Sequence, residues 1–135
     1  MQFERGRVPG PSMAVPATIT GDMAMDTRLK ADNVGVNGVV FQPGARTFWH
    51  SHTHGQIFLV SFGRGVVGTR DGRQQVIEAG DVLYTPPGEE HWHGATPDSF
   101  VAYTAISLGT TMWAEELPES EYLGCFCGSG GRAPG

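Results

Sequence analysis

Short apolar runs broken by Gly, Pro, Asn and Asp recur along most of this chain, at intervals close to those of a β-sandwich or barrel. The runs cover residues 18–29, 34–42, 46–52, 56–62, 65–69, 74–78, 81–84, 91–95 and 100–108, and most are rich in Val, Ile, Phe, Tyr or Thr. Turn chemistry separates them. Asp71-Gly72 between two strand-like runs predicts a tight hairpin, and Pro43-Gly44 and Pro87-Gly88 put glycine where a turn needs positive φ. No useful helical period precedes residue 110. Residues 111–122 are the one helical candidate, with Thr110 or Thr111 as cap and Pro118 opening a second short turn. Many short strands with so little helix predict an all-β fold, a sandwich or a closed barrel, with a short C-terminal helical segment.

Composition narrows the class. A chain of 135 residues fits one domain with one hydrophobic core, and its 20 glycines fit a turn-rich one. Residues 1–16 carry Pro and Gly breaks with little periodicity and read as an arm that wanders or lies along a neighbour; 17–123 form the ordered domain; 124–135 read as a flexible Gly-rich tail. Fourteen acidic groups stand against nine basic ones, Lys30 is the sole lysine, and the formal charge is −5, so neither nucleic acid nor an acidic membrane is an expected partner. No apolar stretch approaches the roughly 20 residues needed to span a bilayer, and the start MQFERGRVPGPSM lacks an apolar signal core, which gives a cytoplasmic expectation. Cys125 and Cys127 form a CxC whose disulfide would be strained, with no third thiol or nearby histidine to complete a metal site; they read as two thiols at the edge of the tail.

Charge chemistry near neutrality is concentrated. All five histidines fall in two clusters, His50, His52 and His54 in the first and His91 and His93 in the second. On a strand, residues two apart share a face, so His50 and His52 present imidazoles about 7 Å apart to one side, and His91 and His93 do the same. By the same parity Gln56, Phe58, Val60 and Phe62 share a face of the next strand. If those faces line a barrel interior, three to five imidazoles converge with one amide among apolar side chains. Buried imidazoles without partners cost roughly 1–3 kcal/mol per group, a cost that a bound metal ion removes.

These residues carry a resemblance. The run GARTFWHSHTHGQIFLVSFG, from Gly44 to Gly63, is similar to the first cupin motif GxxxxxHxHxxxExxxxxxG, with Gln56 in place of Glu. GDVLYTPPGEEH, from Gly80 to His91, is similar to the second motif GxxxxxPxGxxH; that motif usually continues to an Asn, where this chain has Ala95. The short stretch between the motifs resembles compact microbial single-domain cupins. More narrowly, PGARTFWHSHTHGQ and TPPGEEHWHGATP resemble small bacterial cupins described as carboxymuconolactone-decarboxylase-associated, a group that includes manganese-dependent hydroxynitrile lyases. The resemblance implies a jelly-roll-like cupin β-barrel, one divalent transition metal per chain held by His50, His52, Gln56 and His91, and His93 beside them in the pocket. Manganese comes first, with iron, nickel, cobalt or zinc as alternatives. It also implies a small-molecule substrate and a homodimer or homotetramer.

Gln56 removes the negative charge a Glu would bring, so a bound ion keeps its full charge and acidifies a coordinated water or hydroxyl. With His93 as catalytic acid or base, the chemistry expected first is that of a lyase, isomerase or cyclase. An iron-dependent dioxygenase and a non-catalytic binding protein remain open, because one scaffold hosts many functions. Phe48, Phe58 and Val60 are read as pocket wall, Trp49 and Trp92 as outer-face packing or dimer contact, His54 as rim, and Arg46 as a surface ion pair with anion binding as the alternative. Trp113 and Tyr122 either lid the barrel mouth or anchor the C-terminal segment.

Overall fold

The structure, a computed structural model, describes residues 1–126. In chain order its strands are β1 (Ile19–Thr20), β2 (Met23–Ala31), β3 (Val34–Phe41), β4 (Arg46–Thr47), β5 (His50–His52), β6 (Gln56–Thr69), β7 (Gln74–Glu78), β8 (Val82–Thr85), β9 (His91–Ala95), β10 (Val101–Leu108) and β11 (Thr111–Trp113), followed by one short helix, α1 (Glu119–Gly124). All described pairings are antiparallel, and they curl around one interior as an all-β barrel of cupin type.

The strand β6 joins the two halves. Its first part pairs with β8 and β10, and its second part with β7 and β9. The two runs predicted on either side of residue 63 are therefore one strand, bent at Gly63. This glycine sits at φ 77°, and a Cβ on it would lie 2.0 Å from the backbone oxygen of Phe100, so no larger residue fits the bend. Just before it, the register with β10 slips between Ala102 and Tyr103, which leaves Ser61 as an extra residue and turns Phe62 outward. Phe62 is 66% exposed and does not share the inner face of Gln56, Phe58 and Val60.

Alternation then sorts the side chains into two apolar clusters. The inner one includes Met23, Val39, Phe41, Phe58, Val67 and Tyr103. The outer one consists of Trp49, Val66, Trp92, Leu117, Tyr122 and Cys125, so both tryptophans are covered by the chain's own C-terminal segment rather than left for a second subunit. Arg70 secures that segment: its guanidinium lies 3.9 Å from the Trp49 ring centroid and pairs with Glu115 at 2.7 Å and Glu90 at 3.1 Å.

The helical candidate 111–122 divides. Thr111, Met112 and Trp113 form β11, paired with β5 through Thr111 opposite His52 and Trp113 opposite His50. The open edge of β5 supplies hydrogen-bond partners that outweigh a weak local helix preference, and Pro118 disfavours α conformation in the residue before it, so the helix starts only beyond that proline. The N-terminal arm lies along β2: the N–H groups of Val8 and Met13 donate to the oxygens of Thr27 and Met25, and Asp26 accepts from Arg7 and Ser12. Among the described residues no helix is long and apolar enough to cross a membrane. Cys125 is a buried free thiol; Cys127 and most of the tail 124–135 lie outside the described residues.

Candidate metal centre

Strands β5 and β9 set the centre. They run antiparallel with His50 directly opposite His91, so the parity that turns one imidazole inward turns its neighbours two residues away inward too. His50, His52, His91 and His93 are all buried, and so is Gln56 at the start of β6. One ring nitrogen from each of His50, His91 and His93 lies within 4.8 Å of the others. His52 is adjacent but outside that trio, its ring centroid 5.1 Å from that of His50 and 5.5 Å from that of His91. The structure thus gathers all five residues named from the sequence, while the tightest trio contains His93 instead of His52. His54 is exposed at the rim.

Hydrogen bonds at the back of each ring decide what its front presents. Nδ1 of His50 donates to the backbone oxygen of Phe48, and Nδ1 of His91 to that of Glu89, each at 3.0 Å. A carbonyl only accepts, so each neutral ring keeps its proton on Nδ1 and offers a lone pair from Nε2. His52 Nδ1 lies 3.1 Å from Thr111 Oγ1, and its buried Nε2 has no hydrogen-bond partner. The amide of Gln56 is oriented by its NH2, which donates to Ser107 Oγ at 2.8 Å, and this leaves Oε1 only 3.1 Å from Nε2 of His91. Two acceptors facing each other, with a third orphaned nearby, cost about 1–3 kcal/mol per unpaired group. A divalent cation removes that cost, and three imidazoles with one amide oxygen form a donor set suited to a first-row transition metal. The residues present fit such an ion.

Burial keeps the rings neutral. It holds the imidazolium forms of His50 and His93 well below the usual histidine range and lowers that of His91; neighbouring histidines push His50 and His93 the same way. For His52, burial and then His91 bring the value to about 4. Metal ligation requires the unprotonated imidazole, so the site is ready at neutral pH. His93 differs from the others: its Nδ1 is hydrogen-bonded to the hydroxyl of Tyr103, which is itself fully buried in the inner cluster.

The centre opens on a cavity of about 160 Å³. Its polar side is made of His50, His52, Gln56, His93, Ser107 and Thr111, and its apolar wall of Ile19, Met23, Met25, Val39, Phe41 and Trp113. The wall expected from Phe48, Phe58 and Val60 is therefore replaced by side chains from β1, β2 and β3. Phe58 stands behind His93 with ring centroids 4.5 Å apart. Trp113 sits at the mouth, its ring 4.5 Å from that of His50, whereas Tyr122 is an anchor whose hydroxyl donates to the Ala95 oxygen at 2.6 Å. Among the described residues Arg46 forms no ion pair. It is buried, donates to the Gly44 oxygen and lies with its guanidinium 4.4 Å from the Tyr122 ring centroid. A larger open groove of about 400 Å³ runs between β7 and β8, but no histidine lines it, and it lacks the acceptor cluster that makes the smaller cavity chemically distinctive.

A curled β-barrel with a histidine cluster on its inner face is the architecture of a cupin, and residues 38–106 match the Cupin domain family. This chain belongs to that family. It is 36% identical over 110 residues to the (R)-mandelonitrile lyase of Granulicella tundricola, covering 76% of this chain and 84% of that protein. Among solved structures, a cupin-like protein from Thermotoga maritima superposes with a TM-score of 0.74 at 36% identity, covering 89% of this chain and 92% of the other. The polyketide cyclase RemF from Streptomyces resistomycificus superposes with a TM-score of 0.71 over 90% of this chain and 91% of its own, but at 18% identity it speaks for the fold alone.

Proposed function

We propose that this cupin is a metal-dependent lyase acting on a small hydroxyl-bearing substrate, an aromatic cyanohydrin of the mandelonitrile type being the first candidate. The observation that carries this reading is the acceptor cluster of His50, His52, Gln56 and His91 opening on a small apolar cavity. Those four residues would hold the ion, with manganese the first expectation. When bound, the metal supplies Lewis-acid polarisation of a substrate hydroxyl or carbonyl oxygen. A dry apolar cavity of roughly 150 Å³ accommodates a molecule of benzene size, so Met23, Met25, Val39 and Phe41 suit a single aromatic ring. The wall excludes water and orients the ring.

Cyanohydrin cleavage breaks the bond between the hydroxyl-bearing carbon and the nitrile carbon. The electron pair leaves with the nitrile, the hydroxyl proton is lost, and the products are an aldehyde and hydrogen cyanide. His93, on the cavity wall, is the hydrogen-bond donor to the departing nitrile, and the proton lost by the hydroxyl and that gained by cyanide exchange with solvent. The likeness to the mandelonitrile lyase supports this choice over an oxygen-dependent reaction.

The test uses full-length protein loaded with manganese and freed of excess metal, benzaldehyde and cyanide as substrates, and chiral chromatography as the readout. The expected result is one metal per chain and an enantiomeric excess of mandelonitrile that disappears after chelation. A fully loaded protein giving only racemic background overturns the reading.

A further inference from the structure

His93 and its two nearest histidines are held from behind by different chemistry. His50 and His91 face backbone carbonyls, which accept and so fix the proton on Nδ1. His93 faces a phenol. The hydroxyl of Tyr103 has no other hydrogen-bond partner among the described residues, and the side chain is fully buried, so its hydrogen is satisfied only by donating to Nδ1 of His93. A neutral imidazole that accepts at Nδ1 carries its proton on Nε2, the nitrogen left for the cavity. Phe41 and Phe58 pack against both rings, edge-on to His93 and closer to parallel with Tyr103, and hold the phenol beside the imidazole.

We propose that Tyr103 is a positioning residue that locks His93 as the Nε2–H tautomer, which keeps His93 out of the metal's ligand set and makes it a hydrogen-bond donor to the substrate. Proximity alone would make His93 a third ligand with His50 and His91. The direction of one buried hydrogen bond separates it from them. This proposal rests on the lyase reading only for the last of its three readouts.

The first readout is nitrogen NMR of the zinc-loaded protein, in which zinc stands in as a diamagnetic ion. His93 is assigned through His93→Gln, and its Nε2 is expected to be the protonated nitrogen. In Tyr103→Phe, an isosteric change that leaves the packing in place, the protonated nitrogen is expected to shift to Nδ1 or become mixed. The second readout is metal content, expected to remain one per chain in both Tyr103→Phe and His93→Gln. The third is turnover, with kcat falling at least ~10-fold in Tyr103→Phe at little change in KM. A proton on Nδ1 in the parent protein overturns the proposal, as does metal lost with His93→Gln. A Tyr103→Phe protein that melts lower but keeps the parent tautomer reduces Tyr103 to packing and also overturns it. Absence of lyase activity with the expected tautomer defeats the functional reading and leaves the tautomer lock standing.

Discussion

Strands β5 and β9 have two faces built from alternate residues of the same short segments. Toward the interior they turn His50, His52, His91 and His93; toward the outside they turn Trp92, which packs with Trp49 of the adjoining turn, Val66, Leu117 and Tyr122. The outer face asks only for apolar volume, and it is filled by the chain's own C-terminal segment. The inner face carries lone pairs that no protein donor satisfies, an arrangement that weakens the fold unless an ion is bound. One backbone thus separates stability from chemistry by a rotation of one residue. That separation can be broken from either side.

The largest effect belongs to the inner face. His91→Ala removes a ring with its Nε2 facing Gln56, and the expected outcome is loss of bound metal and of turnover. The gain in Tm that metal gives the parent protein should vanish with it, because binding to the native state alone raises stability by mass action. Elemental analysis and melting curves with and without chelator check both points.

Next comes Trp92→Ala, one residue along and on the opposite face. Trp92 is 2% exposed, and its indole lies so close to Gly68 that a Cβ there would be 2.3 Å from Nε1. Truncation should cost about 3–5 kcal/mol, read as a lowered urea midpoint. The protein that remains folded should still bind metal with the parent stoichiometry. Loss of metal in this variant at conditions where it is folded would mean that the two faces are coupled, and the comparison would fail.

Acid separates the faces a third way. In the metal-free chain burial and His91 lower His52 to about 4 from its ordinary value of 6.5, and the other three inner histidines shift in the same direction. Between pH 6.5 and about 4 the unfolded chain binds protons that the folded chain refuses, so stability falls as pH falls; above 6.5 the term vanishes. For His52 alone the loss reaches at most about 3 kcal/mol. The urea midpoint of metal-free protein should drop between pH 7 and pH 4.5. Replacing His52 with Gln should flatten that slope, whereas Trp92→Ala should shift the curve without changing its shape.

Much of this was legible in the sequence because β-rich runs, turn residues and the two-residue parity of the histidines are local properties. The histidine spacings put imidazoles on shared strand faces, the resemblance to the cupin motifs implied the barrel around them, and the structure brings His50, His52, Gln56, His91 and His93 together. What escaped depends on partners far along the chain. The extra residue at Ser61, which turns Phe62 outward, exists only through the register with β10. Residues 111–113 became a strand because β5 offered an edge. The cavity wall came from Met23, Met25, Val39 and Phe41, whose alternation marks them as buried but cannot say what they face. Tyr103 shares the inward parity of Val101 and Ala105, yet only the packed barrel reveals that its hydroxyl meets His93.

The smallest effect is the most discriminating. Two buried tyrosine hydroxyls each make one hydrogen bond, Tyr103 to His93 on the inner face and Tyr122 to the Ala95 oxygen on the outer. Phenylalanine at residue 122 keeps the ring under the Arg46 guanidinium and against Trp92, so only the hydrogen bond is lost. That should cost about 1 kcal/mol, or a fall in Tm of roughly 4 °C for a chain of this size. Metal content, KM and kcat should not move, because Tyr122 belongs to the outer cluster and neither it nor Ala95 lines the cavity. Tyr122→Phe is therefore the control for Tyr103→Phe: equal chemistry removed, similar burial, opposite faces. A kcat reduced as much by the outer substitution as by the inner one would show that turnover tracks the rigidity of β9, and the division of labour between its faces would be lost.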